Sequence, residues 1–142
     1  MVVILCATTV YSNVFVGHSH WMLVKWIPFY RYGSWTEYFL DLGQNLLLFL
    51  PLGYAQPRAG LAGTAHPLRV IAITGLLVST GIELFQVYSH NRSPATTDIV
   101  VNGIGSLLGG AWSLYVTRRI SATSPDQRRP LPVLSNNESR TE

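Results

Sequence analysis

Carboxylate and carboxamide side chains lie at the end of an otherwise apolar stretch of this chain. In GIELFQVYSH, residues 81–90, Glu83 and Gln86 follow a run, residues 68–82, whose only ionisable residue is Arg69. A carboxylate in such a run is costly to bury unless it has a partner or a function. Two carboxylates can serve as proton donor and acceptor, and an arginine with carboxamides can bind phosphate. Glu83 is therefore the first candidate for a functional site.

Further polar residues recur at helical spacing in the neighbouring apolar runs. Asp41 and Asn45 are four residues apart, as are Asp98 and Asn102, so each pair shares one helical face. Arg92 lies between two of these runs and is the expected counter-ion of their carboxylates. The candidate catalytic residues are Glu83 and Asp98, and the candidate binding residues are Asp41, Asn45, Gln86, His90, Arg92 and Asn102.

The elements that must position these residues are four apolar runs, residues 2–16, 38–55, 68–88 and 99–116. The 142-residue chain is 48% hydrophobic and only 12% charged, about half the usual charged fraction of roughly 25%. The last three runs approach the roughly 20 residues that a membrane-spanning helix needs. The sequence therefore predicts an all-α fold, an integral membrane four-helix bundle.

The first run and the C-terminal segment set the expected domain limits. The first run has no basic residue before it and no small-x-small cleavage site, which favours a short first helix, or a true start further upstream, over a cleaved signal peptide. Residues 121–142 are polar and contain prolines, so we expect a disordered tail. The predicted organisation is a transmembrane domain over residues 1–120 and a tail over residues 121–142.

Several classes of function are disfavoured by composition. The basic residues form no stripe interleaved with aromatics, so nucleic acid is not expected as a partner. The single cysteine, Cys6, excludes a disulfide within the chain and a cysteine metal cluster. No spacing demands a metal, and no motif indicates a cofactor. The expected partners are membrane lipids or an amphiphilic envelope precursor.

Lysines and arginines indicate the orientation of the four predicted helices. Arg118 and Arg119 follow the last run directly, and most of the remaining arginines fall in the second connection and the tail. Basic residues are enriched in cytoplasmic loops. We therefore expect both termini in the cytoplasm of a multi-pass protein of the bacterial cytoplasmic membrane, and the polar candidates at the outward end of the helices.

Four pieces of the sequence together resemble the VanZ-like family of small bacterial membrane proteins. They are WIPFY (26–30), NLLLFLPLG (45–53), ELFQ (83–86), and Arg92 followed by DIVVNGIGSLLGG (98–110). The resemblance implies a membrane protein of the cell envelope with a role like that of the namesake, which is associated with teicoplanin resistance. It departs at Ala95, where many relatives carry a further polar or acidic residue.

Three hypotheses remain open for the polar cluster. It could bind the headgroup of an envelope lipid, a cell-wall precursor or a lipoglycopeptide. It could instead be an acid–base enzyme in which Glu83 and Asp98 exchange protons, with His90 as a proton relay. A third hypothesis is a structural network that fixes the register of the helices, although such interhelical bonds contribute only about 0.6 kcal/mol each.

Overall fold

The computed structural model of the protein describes residues 14–30 and 33–123. Their regular structure is helical and includes three long helices, α1, α2 and α3. These are α1 Trp35–Arg58, α2 Pro67–Gln86 and α3 Thr96–Thr123, with short 3-10 turns at Trp21–Leu23 and Leu61–Gly63. The predicted all-helical fold and the last three predicted helices are confirmed in this part of the chain.

The N-terminal apolar run differs from the prediction where it can be seen. Most of it lies outside the described residues, but its last three residues, 14–16, are not helical. Phe15 forms an antiparallel bridge with Ser89, and the Val16 amide donates to the Tyr88 carbonyl at 3.0 Å. The predicted end of a first helix at Val16 is therefore wrong. The segment instead pairs with backbone groups that the end of α2 leaves without helical partners.

Local sequence signals account for the ends of the helices. The Ser34 hydroxyl accepts from the Glu37 amide at 3.2 Å, and the Glu37 carboxylate accepts from the Ser34 amide at 3.3 Å, which forms a capping box at the start of α1. Gly60 follows α1 with φ of 106°, a conformation that favours glycine. Pro67 occupies the first position of α2, where its missing N–H has no cost.

Two of the described helices are long and apolar enough to cross a membrane, Pro67–Gln86 and Thr96–Ala122. In the apolar part of α2 only 22% of the residues are buried inside the protein, so most of its surface faces the surroundings. The 24 residues of α1 are sufficient in length, but α1 does not reach the same apolarity because Asp41, Gln44 and Asn45 fall within it.

The helices are held together by close approach of backbones at small residues. A Cβ on Gly105 or Gly109 of α3 would lie under 3.0 Å from a carbonyl oxygen of α1, that of Leu46 or Leu50 respectively. A Cβ on Gly75 of α2 would likewise lie under 3.0 Å from the Ser106 side chain of α3. As a result α3 packs closely on both neighbours, whereas α1 and α2 meet only sparsely.

Adding one methyl group at this contact should separate α3 from α1. We expect Gly109→Ala to lower the free energy of unfolding by about 1–3 kcal/mol, because its Cβ meets backbone rather than a flexible side chain. Gly81→Ala in α2 is the matched control, since nothing lies within 4 Å of its added Cβ, and it should be neutral or stabilising. Thermal unfolding in detergent measures both. Equal effects of the two substitutions would contradict this packing.

Candidate functional site

All three helices contribute polar residues to the same end of the protein. This end, called the site end below, is where α1 begins, α2 ends and α3 begins. Asp98 lies in the first turn of α3, and Glu83 and Gln86 lie in the last turns of α2. Two adjacent pockets open here. The antiparallel order of the helices is the reason that residues far apart in sequence meet.

The first of these pockets, the polar pocket, has a volume of about 360 Å³. Its lining is dominated by charged and hydrogen-bonding groups from α1, the start of α3 and the two connections at the site end. They include Lys25, Glu37, Asp41, Gln86, Arg92 and Asp98. Two cations and three carboxylates thus surround a space within the size range of small-molecule sites, roughly 300–1,000 Å³.

The second pocket, the cleft pocket, has a volume of about 500 Å³ and lies between α1 and α2, with α3 behind it. It shares Gln86 and Arg92 with the polar pocket, so the two are neighbours. Apolar side chains line much of it. Its other lining residues include Asn45, Leu47, Leu48, Phe49, Ile82, Glu83 and Asn102.

Glu83 joins the end of α2 to the start of α3. Its side chain is only 6% exposed, and its Oε2 accepts a hydrogen bond from the Ala95 amide at 2.8 Å. Ala95 precedes α3 and would otherwise present an unpaired, buried N–H. Ala95, where the sequence departs from the resemblance, thus contributes its backbone amide, and this amide partners Glu83.

Arg92 does not pair with the carboxylates expected from the sequence. Its Nη1 lies 3.9 Å from Asp41 Oδ1, and in the described part of the chain it forms no ion pair with Glu83 or Asp98. The two side chains of this pair are 49% and 45% exposed, so the pair adds little stability. Arg92 is therefore held at the boundary of the two pockets with its guanidinium accessible.

Asp98 lies where the aromatic segment before α1, residues 17–30 and called the aromatic connection below, meets the start of α3. Asn45 of α1 lies near the Asp98 carboxylate. On the other side, the Lys25 amide donates to the Pro94 carbonyl at 2.9 Å and the Thr96 amide donates to the Lys25 carbonyl at 3.1 Å. The aromatic connection thus runs alongside the start of α3 and forms one wall of the polar pocket.

Asn102 lies deeper in the bundle and is only 2% exposed. Its Nδ2 donates to Ser79 Oγ of α2 at 2.8 Å. Its Oδ1 has no hydrogen-bond partner, although Asn102 is one of the residues that line the cleft pocket. A buried acceptor without a partner costs about 1–3 kcal/mol, which makes this oxygen a point where a ligand can contribute.

His90 lies apart from the other candidates and lines neither pocket. Its backbone amide donates to the Val14 carbonyl at 2.8 Å. Its ring contacts that of His20, with centroids 5.6 Å apart, and His20 in turn contacts His18 at 4.7 Å. The described residues hold no group of three or more metal-ligating side chains arranged for an ion. His90 thus lies outside both pockets, and its role as a proton relay stays a prediction.

Other pocket residues were missed from the sequence. Lys25, Tyr30, Glu37 and Tyr38 line the polar pocket, and Ser79 partners Asn102. A lone lysine in an aromatic stretch gives no periodic signal, and Glu37 is explained by its capping role. Ser79 was detectable, since it lies one helical turn before Glu83 on the same face of α2.

Removing the carboxylate of Glu83 should loosen the connection between α2 and α3. We expect Glu83→Leu to lower the free energy of unfolding by about 1–3 kcal/mol, because the buried Ala95 N–H loses its acceptor. Glu83→Gln keeps an acceptor oxygen and should lose less. Thermal unfolding together with hydrogen exchange of residues 93–97 measures the effect. Unchanged exchange in Glu83→Leu would show that this bond does not anchor the connection.

Comparison with known proteins agrees with the four sequence pieces and with the helices that carry them. No curated protein and no solved structure matches the chain significantly. The chain does match the VanZ/LLP1 family over residues 1–117, which include α1, α2 and nearly all of α3. By this match over most of its length, the protein belongs to the VanZ/LLP1 family.

Proposed function

We propose that this protein is a multi-pass protein of the bacterial cytoplasmic membrane that binds the headgroup of an envelope lipid or lipid-linked cell-wall precursor in the polar pocket. The observation that carries the proposal is the mixture of charges around that pocket. Lys25 and Arg92 suit a phosphate, and Asp41 and Asp98 suit amines or hydroxyls. The expected ligand is an amphiphile whose headgroup carries an anionic group together with hydrogen-bond donors.

Unsatisfied polar atoms argue against a purely structural network. A network that only fixes helix register stabilises the fold when each member is paired. Here the Asn102 Oδ1 and the Ser106 Oγ are buried without a hydrogen-bond partner. The ion pair of Arg92 with Asp41 at the site end is half exposed. These features favour binding over a scaffold role.

The positions of the two candidate catalytic carboxylates favour binding over acid–base catalysis. A general acid and a general base must both reach the reacting group of one substrate. Asp98 lines the polar pocket, whereas Glu83 lines the cleft pocket and is engaged by the Ala95 amide. The two pockets adjoin at Gln86 and Arg92, so one ligand can bridge them, but the Glu83 carboxylate is already engaged by a backbone amide.

A teicoplanin-resistance-like role is compatible with the same site. A lipoglycopeptide is itself an amphiphile that combines a lipid chain with sugar hydroxyls and peptide groups. Such a molecule offers the polar pocket the donors and charged groups that its lining can bind. Binding would lower the amount of antibiotic, or of an antibiotic-binding precursor, that is free at the membrane surface.

The orientation of the site can be tested without a ligand. If the site end faces outward, a cysteine at Met22 should react with a membrane-impermeant thiol reagent in intact cells, because Met22 is 99% exposed. A cysteine at the exposed Ala65, between α1 and α2, should react only after the cells are opened. Both variants require Cys6 to be replaced by serine. The reverse pattern would place the polar pocket in the cytoplasm and exclude an outward-facing ligand.

Arg92→Gln tests headgroup binding. It should reduce co-purified phospholipid or polyprenyl-linked lipid several-fold, because the accessible guanidinium is the strongest phosphate donor in the site. Arg69→Gln is the control, since Arg69 is exposed at the start of α2, away from the site end. Lipids extracted from the purified variants are quantified by mass spectrometry. The thermal stability of both should stay within about 1 kcal/mol of wild type. Equal lipid content in wild type and Arg92→Gln would refute the proposal.

A further inference from the structure

The cleft pocket results from the uneven packing of the three helices. Because α3 packs on both neighbours while α1 and α2 meet only sparsely, a lateral gap separates the latter two. Leu47 and Leu48 of α1 lie at this gap and are 66% and 39% exposed. In a membrane such exposed leucines contact hydrocarbon. The cleft pocket is thus accessible sideways from the lipid rather than only from water.

The lining of the cleft changes from polar to apolar along its length, in the same order as the headgroup and chain of a membrane lipid. Gln86 and Arg92, which border the polar pocket, lie at its outer end. Deeper along α1 and α2 the lining becomes Leu48, Phe49 and Ile82. A headgroup at the boundary of the pockets would therefore place its hydrocarbon chain against these apolar side chains.

One polar side chain that lines the cleft, Asn102, is almost fully buried. Asn102 is 98% shielded, being 2% exposed, and its Nδ2 is already used by Ser79. Its Oδ1 has no partner, and Asn102 lines the cleft. A ligand in the cleft can supply the donor that this oxygen lacks. The donor belongs to the part of an amphiphile that joins the headgroup to the chain.

We infer that the cleft pocket holds the linkage region and first chain segment of the amphiphile whose headgroup occupies the polar pocket, and that this linkage carries a hydroxyl or amide N–H that donates to Asn102 Oδ1. The inference rests on the proposed function and narrows its ligand class. It selects lipids with a free donor next to the chain over lipids in which that position is esterified or absent.

A matched pair of probes tests the hydrogen bond. Lysophosphatidylethanolamine carries a free hydroxyl next to its acyl linkage, and its deoxy analogue has the same headgroup and chain without that hydroxyl. Binding of each probe to the full-length protein in a neutral detergent is measured by native mass spectrometry. We expect wild type to favour the hydroxyl probe by about two- to tenfold, the value of one net hydrogen bond.

Two variants test whether the preference for the hydroxyl probe depends on Asn102 Oδ1. Asn102→Ala should bind both probes equally, whereas Ser79→Ala, which removes the other partner of Asn102, should keep the preference. A preference that persists in Asn102→Ala would overturn the assignment. Equal binding of the two probes to wild type would overturn the inference and leave headgroup binding intact. Failure of wild type to bind either probe would overturn the inference and the proposed function together.

The position of the chain is tested with a diazirine in the acyl chain of the hydroxyl probe. Photolabelling should map to α1 and α2 residues of the cleft, and Leu48→Trp should reduce it several-fold by filling the space. Leu84→Trp is the matched control, because Leu84 is 50% exposed and lines neither pocket. Labelling that is unaffected by Leu48→Trp, or is reduced equally by Leu84→Trp, would refute a chain in the cleft.

Discussion

The close contact of α3 with the backbones of α1 and α2 is the constraint on which the remaining features depend. In a lipid environment apolar side chains gain nothing by turning from lipid to protein, so helices associate where small residues allow many van der Waals contacts. Gly105 and Gly109 provide that contact toward α1, and Ser106 fits against Gly75 of α2. Because α3 packs closely on both α1 and α2, these two helices need not pack on each other. The space left between them is the cleft pocket.

The same contact fixes the polar groups of α3 relative to those of α1 and α2. The turns of α3 that carry Asp98 and Asn102 continue directly into the glycine face, so their positions relative to α1 and α2 are fixed by packing that lies further along the helix. At the site end, the Glu83 carboxylate links α2 to the start of α3 by accepting a hydrogen bond from the Ala95 amide. The short connection between α2 and α3 presents Arg92 at the boundary between the two pockets.

Periodicity and composition were sufficient to predict most of the helical framework but not the connections. The apolar runs predicted α1, α2 and α3, because a helix in lipid must be apolar over most of its surface. The candidate site residues on these helices were chosen because carboxylates and carboxamides are rare in such runs. Lys25 was missed, since its place in the site depends on backbone hydrogen bonds to Pro94 and Thr96, which leave no trace in side-chain patterns.

Charge pairing was the least predictable property of the site. Sequence proximity suggested that Arg92 would neutralise Glu83 and Asp98, but the fold brings Asp41 closer to its guanidinium. This difference has a functional consequence. An arginine locked between two buried carboxylates would have no capacity left for a ligand, whereas an exposed and weakly paired one can exchange Asp41 for a phosphate at little cost. The arrangement that makes Arg92 a poor structural element is therefore the one that suits it to the phosphate binding proposed above.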